Sequence, residues 1–178
     1  MKEKIVGCIP NLFTLLNMSL GLSACLVLIQ LDDFDKGLVV PLLILIGGIS
    51  DFFDGFLARK LNAVSLTGKQ LDSFADIITF GVAPLLFINY LCSNGSGLLT
   101  MTSSLIYMLA AAYRLARFNL SEKNNYFTGL PITAAGLILV LYALVYGHFF
   151  SDGFLMTPFL IIFLSVLMVS KKRVFLWG

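Results

Sequence analysis

The stretch Gly47-Gly48-Ile49-Ser50-Asp51-Phe52-Phe53-Asp54-Gly55-Phe56-Leu57-Ala58-Arg59 decides how this chain is read. It closes an apolar segment, yet it sets two carboxylates among phenylalanines where a plain hydrophobic helix would set none. At about 100° per residue, Asp51, Asp54, Gly55 and Ala58 share one helical stripe, while the phenylalanines and Leu57 point largely elsewhere. The next segment repeats the logic with Gly68, Asp72 and Asp76 at four-residue steps. A short connection from Lys60 to Thr67 makes the two helices antiparallel neighbours, so that four carboxylates face one another across a single helix pair.

Outward from that stretch the chain is strongly apolar. Of its 178 residues, 58% are hydrophobic and 12% charged, and the mean hydropathy is +0.93. A soluble domain carries about a quarter charged residues, so this chain belongs in a bilayer. Its length accommodates several spans of about 20 residues and leaves little for a soluble domain, so a single membrane domain over 1–178 is expected. A net charge of +2 gives no ground for a nucleic-acid partner. Cys8, Cys25 and Cys92 show neither metal-ligand spacing nor a disulfide framework, and with His148 as the only histidine a zinc site is not expected. The apolar stretch after Met1-Lys2-Glu3-Lys4 runs on to Gln30 without a small-residue cleavage site and reads as a retained first span.

Six apolar segments follow from the pattern: Pro10 to Leu31, Gly37 to Leu57, Leu71 to Cys92, Leu98 to Leu115, Ile132 to Phe150 and Phe154 to Ser170. Turn chemistry separates them at Asp32-Asp33 with Asp35-Lys36, at Asn94-Gly95-Ser96-Gly97 and at Ser151-Asp152-Gly153. Lys2, Lys4, Arg59, Lys60, Lys69, Arg114, Arg117, Lys123, Lys171, Lys172 and Arg173 all fall at one end of alternating spans, and only Lys36 falls at the other. The expectation is an all-α integral membrane protein of six transmembrane helices with both termini cytoplasmic. It sits in the cell membrane, with the aspartates near the cytoplasmic face.

Several ionised aspartates at membrane depth are prohibitively costly unless cations or protons compensate them. A pair of hard divalent ions on carboxylate oxygens satisfies Asp51, Asp54, Asp72 and Asp76 best, and the absence of nearby histidine or cysteine favours Mg2+ or Mn2+ over zinc. Gly55, Ala58 and Gly68 let a bulky ligand approach the helix backbone, and Arg59 is placed to bind a phosphate oxygen. Two metals, such an arginine and a carboxylate free to act as base describe phosphoryl transfer. Small residues on membrane helices are more often packing contacts, and a lone intramembrane aspartate also serves transporters as an ion relay. Four aspartates at these spacings, with glycine and arginine interleaved, argue against a purely structural role.

At these residues the sequence resembles the CDP-alcohol phosphotransferase family, whose signature D-x-x-D-G-x-x-A-R-x(8)-G-x-x-x-D-x-x-x-D is filled by Asp51, Asp54, Gly55, Ala58, Arg59, Gly68, Asp72 and Asp76. The resemblance implies that Asp51, Asp54 and Asp72 hold metal and that Asp76 is the general base and helps with a second ion. It also implies that Gly55, Ala58, Arg59 and Gly68 line the site of a CDP-activated lipid. The alcohol would attack the lipid-side phosphorus and CMP would leave; the family also implies a homodimer.

The run Asp72-Ser73-Phe74-Ala75-Asp76 followed by Thr79-Phe80-Gly81-Val82-Ala83-Pro84 is similar to the phosphatidylserine synthase branch, and Ser73 stands where the glycerol-phosphate branch would show proline. Arg114-Leu115-Ala116-Arg117-Phe118-Asn119, Gly129-Leu130-Pro131-Ile132 and Ile9-Pro10-Asn11 with Thr14 and Asn17 are similar to that branch too. This branch implies L-serine as acceptor. Arg114 and Arg117, one turn apart, suit the head-group carboxylate, and they equally suit snorkelling to the interface. Asn11, Thr14 and Asn17 fit contacts to nucleotide or phosphate, and they also fit helix-packing hydrogen bonds. The alternatives are transfer to glycerol phosphate or an inositol phosphate and, in a different class, an aspartate-lined cation transporter.

Overall fold

Long apolar runs without strand-type alternation must satisfy their backbone groups internally, and in a bilayer the helix does so within one segment. The computed structural model describes residues 2–30, 33–61, 63–91, 97–120, 129–149 and 156–170, and all its regular structure is helical. The helices are α1 (Lys2–Gln30), α2 (Asp33–Lys60), α3 (Leu66–Asp76), α4 (Ala83–Leu91), α5 (Gly97–Leu120), α6 (Ile132–Phe149) and α7 (Thr157–Val169), with a π-helical turn, Ile77–Val82, joining α3 to α4.

Among the described residues, four runs are long and apolar enough to cross a membrane: Pro10–Gln30, Lys36–Lys60, Leu66–Leu91 and Gly97–Leu120. Leu12, Ile29, Leu38, Leu105 and Leu109 stand exposed along them, an outer surface that suits hydrocarbon rather than water. The chain is therefore a multi-pass, all-α membrane protein. The fifth and sixth expected spans are present as shorter apolar helices. The 13 residues of α7 extend about 20 Å, short of the roughly 30 Å hydrocarbon core. Of the expected turns, Asp33, Asp35 and Lys36 lie instead in the first turn of α2 and Gly97 opens α5, while residues 32, 94–96 and 151–153, and the basic residues Lys123, Lys171, Lys172 and Arg173, lie outside the described residues.

The chain divides into two compact units, Met1–Pro84 and Leu85–Gly178. In the first, α1 turns Pro10, Thr14, Asn17, Gly21 and Ala24 inward at alternating steps of four and three, a packing seam of the kind two neighbouring helices share. That seam lies against α2 and also against α3 and the π turn, whereas α2 and α3 make little close backbone approach to each other. The expected antiparallel pair is thus a trio with α1 as the common partner.

In the second unit, α5 packs on α7, and the buried side of α5 includes Ser103, Tyr107, Ala110 and Arg114. Gly129 enters α6 with φ +80°, and a Cβ there would collide with the Met168 carbonyl. Glycine is the residue that fits both the left-handed backbone and that close approach. The next peptide ties in as well, Leu130 N–H donating to the Leu167 carbonyl at 3.1 Å.

Candidate active site

The two acidic segments meet by a tight connection. Leu61 and Ala63 N–H close the end of α2 on the carbonyls of Leu57 and Ala58, at 2.9 and 3.0 Å. Ser65 then caps α3, its hydroxyl oxygen accepting from Gly68 N–H at 3.0 Å. Two helical turns from this connection, Asp51 of α2 meets Asp72 and Asp76 of α3, and one carboxylate oxygen from each of the three lies within 4.8 Å of the others. Asp51 is within hydrogen-bonding range of both partners. Ionised carboxylates have nothing to donate, so the cluster requires a cation or shared protons between them.

Asp54 stands beside this trio and interacts electrostatically with Asp51, Asp72 and Asp76. It is buried, and its Oδ2 has no hydrogen-bond partner among the described residues; the same holds for Oδ1 of the buried Asp76. Asp54 Oδ2 is a further ligand position for a hard cation, so the residues fit a divalent metal site with an oxygen-only donor set. The phenylalanines behave as the helical stripe requires, with Phe52, Phe53 and Phe56 exposed on the outer face while Asp54 faces in.

The first helix contributes more than packing. Thr14 brings its hydroxyl to hydrogen-bonding range of the Asp54 carboxylate, and also to 3.2 Å from the Pro10 carbonyl. Asn11 reaches Gly68, its Oδ1 only 3.0 Å from where a Cβ on Gly68 would sit. Of the candidates Asn11, Thr14 and Asn17, Thr14 therefore borders the aspartates, and Asn11 borders Gly68, one turn before Asp72. Gly55 differs from Gly68, since a Cβ built on it meets nothing within 4 Å. Beside that open space runs the Arg59 side chain, whose Nε donates back to the Gly55 carbonyl at 3.1 Å. The exposed guanidinium is thus tethered to the backbone of α2 one turn back. Ala58, half-buried, continues the same small-residue surface.

One helical turn farther from the connection lies a layer that the sequence pattern did not reveal. The π turn places Thr79 in a notch between Gly21 of α1 and Gly47 of α2, where a Cβ on either glycine would overlap it. Thr79 Oγ1 donates to the Asn17 carbonyl at 3.0 Å. Pro84 explains the wider turn, since it lacks the N–H that an α-helix would offer to the Phe80 carbonyl. Ala83 N–H instead reaches back five residues to the Ile78 carbonyl. The proline signal was in the sequence; the glycine notch that receives Thr79 depends on residues about 30 and 60 positions away.

The two arginines proposed for the head group are on α5, in the second unit. Arg114 is buried on the inner stripe of that helix. Arg117 lies at its end, where Nη1 donates to the Val169 carbonyl at 3.3 Å, and so serves the C-terminus of α7.

A family model described as CDP-alcohol phosphatidyltransferase matches residues 7–173. The chain is 39% identical over 137 residues to the CDP-diacylglycerol--serine O-phosphatidyltransferase of Bacillus subtilis, a match covering 74% of this chain and 72% of that protein. The protein of that name from Methanocaldococcus jannaschii is 36% identical over 165 residues, covering 93% and 72%. The archaetidylserine synthase of Methanothermobacter thermautotrophicus is 33% identical over 166 residues, covering 92% and 67%.

Proposed function

Since the chain belongs to the CDP-alcohol phosphatidyltransferase family, we infer that it is a transferase that moves the phosphatidyl or archaetidyl group of a CDP-activated lipid to L-serine, forming a serine phospholipid and CMP. The relatives that carry serine in their names, bacterial and archaeal alike, support the acceptor. The observation that carries the chemistry is the convergence of Asp51, Asp72 and Asp76 from two helices, with Asp54 beside them.

In this reading Asp51, Asp54, Asp72 and Asp76 hold Mg2+ or Mn2+, two ions in all. Bound there, the metal supplies charge neutralisation for the diphosphate and for the charge that develops on the transferring phosphoryl group. Gly55 and Ala58 admit the diphosphate to the α2 backbone, and Arg59, already tethered over Gly55, offers its remaining N–H groups to phosphate oxygens. Gly68, Asn11 and Thr14 border the same space and complete the nucleotide side. Asp76 takes the proton of the serine hydroxyl as its oxygen bonds to the lipid-side phosphorus, and the bond from that phosphorus to the CMP oxygen breaks. Arg114, a buried cation on a membrane helix, is the head-group candidate for the serine carboxylate. The bond from Arg117 to Val169 favours a helix-capping role for that residue.

The family match crosses the boundary of the two compact units, which supports one family domain. The charge alternation supports six membrane segments with both termini and the site on the cytoplasmic side, and the homodimer is carried over from the family. The test is CMP release by detergent-solubilised protein given CDP-diacylglycerol, Mg2+ or Mn2+, and a panel of serine, glycerol 3-phosphate and inositol phosphate. Release with serine alone is expected. Release with another alcohol would move the acceptor, and metal-dependent ion flux in liposomes without any CMP release would end the enzyme reading.

A further inference from the structure

Asn17 is fully buried, and neither Nδ2 nor Oδ1 of its carboxamide has a hydrogen-bond partner among the described residues. The backbone around it is well satisfied, with its carbonyl accepting from Thr79 Oγ1. The side chain is therefore not serving the helix-packing role usual for asparagine on a membrane helix, which is to bond across to a neighbour. Its Oδ1 edge lies against α2, 3.0 Å from the position of a Gly47 Cβ, and the amide nitrogen occupies the other edge of the planar group. Asn17 is one turn beyond Thr14 on α1, Gly47 one turn before Asp51 on α2, and Thr79 one turn beyond Asp76 on α3. All three helices thus agree that this layer directly underlies the aspartate cluster. In the layer above, Oδ1 of the buried Asp76 also lacks a partner among the described residues.

A buried carboxamide in one layer and a buried carboxylate oxygen in the layer above it, both without a partner among the described residues, are the polar groups an internal water requires. We propose that the Asn17 carboxamide binds an ordered water that bridges to Asp76 Oδ1, making Asn17 a positioning residue for that carboxylate. The water accepts from Asn17 Nδ2 and donates to Asp76, which leaves the other Asp76 oxygen to the reaction. This rests on the role given above to Asp76 as the base. It also gives a reason for Gly47, since any side chain there would press on both Asn17 and Thr79.

The experiment pairs a high-resolution structure with two substitutions in the full-length protein. Density for a water within hydrogen-bonding distance of Asn17 and Asp76 is expected in the wild type. Asn17→Leu keeps the volume and removes the hydrogen bonds; it is expected to bind Mn2+ within about twofold of wild type and keep its serine KM, while kcat falls roughly 10- to 100-fold. Asn17→Ser, which has a hydroxyl and room for a second water, is expected to recover part of that kcat. Unchanged kcat in a well-folded Asn17→Leu, or a dry contact between Asn17 and its neighbours in the structure, would overturn the proposal. Should Asn17→Leu fail to fold, the wild-type density and the Asn17→Ser kcat decide. If the wild type itself releases no CMP with any alcohol, the proposed function has failed, and the bridging density alone then decides whether the water site exists.

Discussion

Gly55→Ala separates a glycine kept for a ligand from one kept for packing. A Cβ on Gly55 meets no atom within 4 Å, so the substitution creates no clash in the free protein. Gly55 lies inside α2, where alanine is favoured over glycine by about 0.5–1 kcal/mol. The substituted protein should therefore be slightly more resistant to thermal unfolding in detergent than the wild type. Catalysis should move the other way. The methyl group enters the space beside Arg59 that is assigned to the diphosphate. An overpacked contact costs about 1–3 kcal/mol, which corresponds to a roughly 5- to 150-fold loss in kcat/KM for the CDP-lipid. The assay is CMP release against CDP-diacylglycerol concentration at saturating serine, run beside a thermal melt of the same preparation. Wild-type kcat/KM in Gly55→Ala would refute the placement of the diphosphate over this backbone. A lowered melting temperature would instead show that Gly55 packs against something.

Gly21→Ala should destabilise the protein instead, because its Cβ would fall on Thr79, including that residue's Cα at 2.9 Å. Stability should drop by about 1–3 kcal/mol by thermal melt, with only partial relief in a Gly21→Ala/Thr79→Ala double variant because the backbone contact persists. Asp76→Asn should retain metal and CDP-lipid binding by titration calorimetry while losing about 10²- to 10⁴-fold in turnover; undiminished turnover would remove Asp76 as base. Arg117→Ala should leave the serine KM within twofold and lower stability by about 0.5–1.5 kcal/mol, the worth of its bond to Val169; a large rise in serine KM would return Arg117 to the head group.

What the sequence could tell about this site depended on the range of the interaction. The inward stripe of Asp51, Asp54, Gly55 and Ala58 and the four-residue steps to Asp76 are local consequences of helical periodicity, so their clustering was legible from spacing alone. The buried seam of α1 has the same helical origin and brings Thr14 beside Asp54, while Asn11, at the edge of that seam, comes beside Gly68. The α1-centred arrangement of the three helices was not legible. A short connection between α2 and α3 fixes only that their ends are close, and it is α1 that makes the closer backbone approach to each of them.

The π turn lies between these cases. Pro84 withholds one hydrogen bond from the Phe80 carbonyl, a local fact that a helix can answer with a kink, a break or a wider turn. The wider turn is favoured here because it delivers Thr79 into the notch left by Gly21 and Gly47, where its hydroxyl finds the Asn17 carbonyl. That choice needs three segments together, and none of them signals it alone. The turn begins at the residue after Asp76, so the packing that holds Thr79 also anchors the helix end that presents this carboxylate. A residue such as Gly21, four positions past Asn17 and without a polar atom in its side chain, can therefore bear on the chemistry by fixing the register of the π turn. For this reason Gly21→Ala should reduce turnover as well as stability.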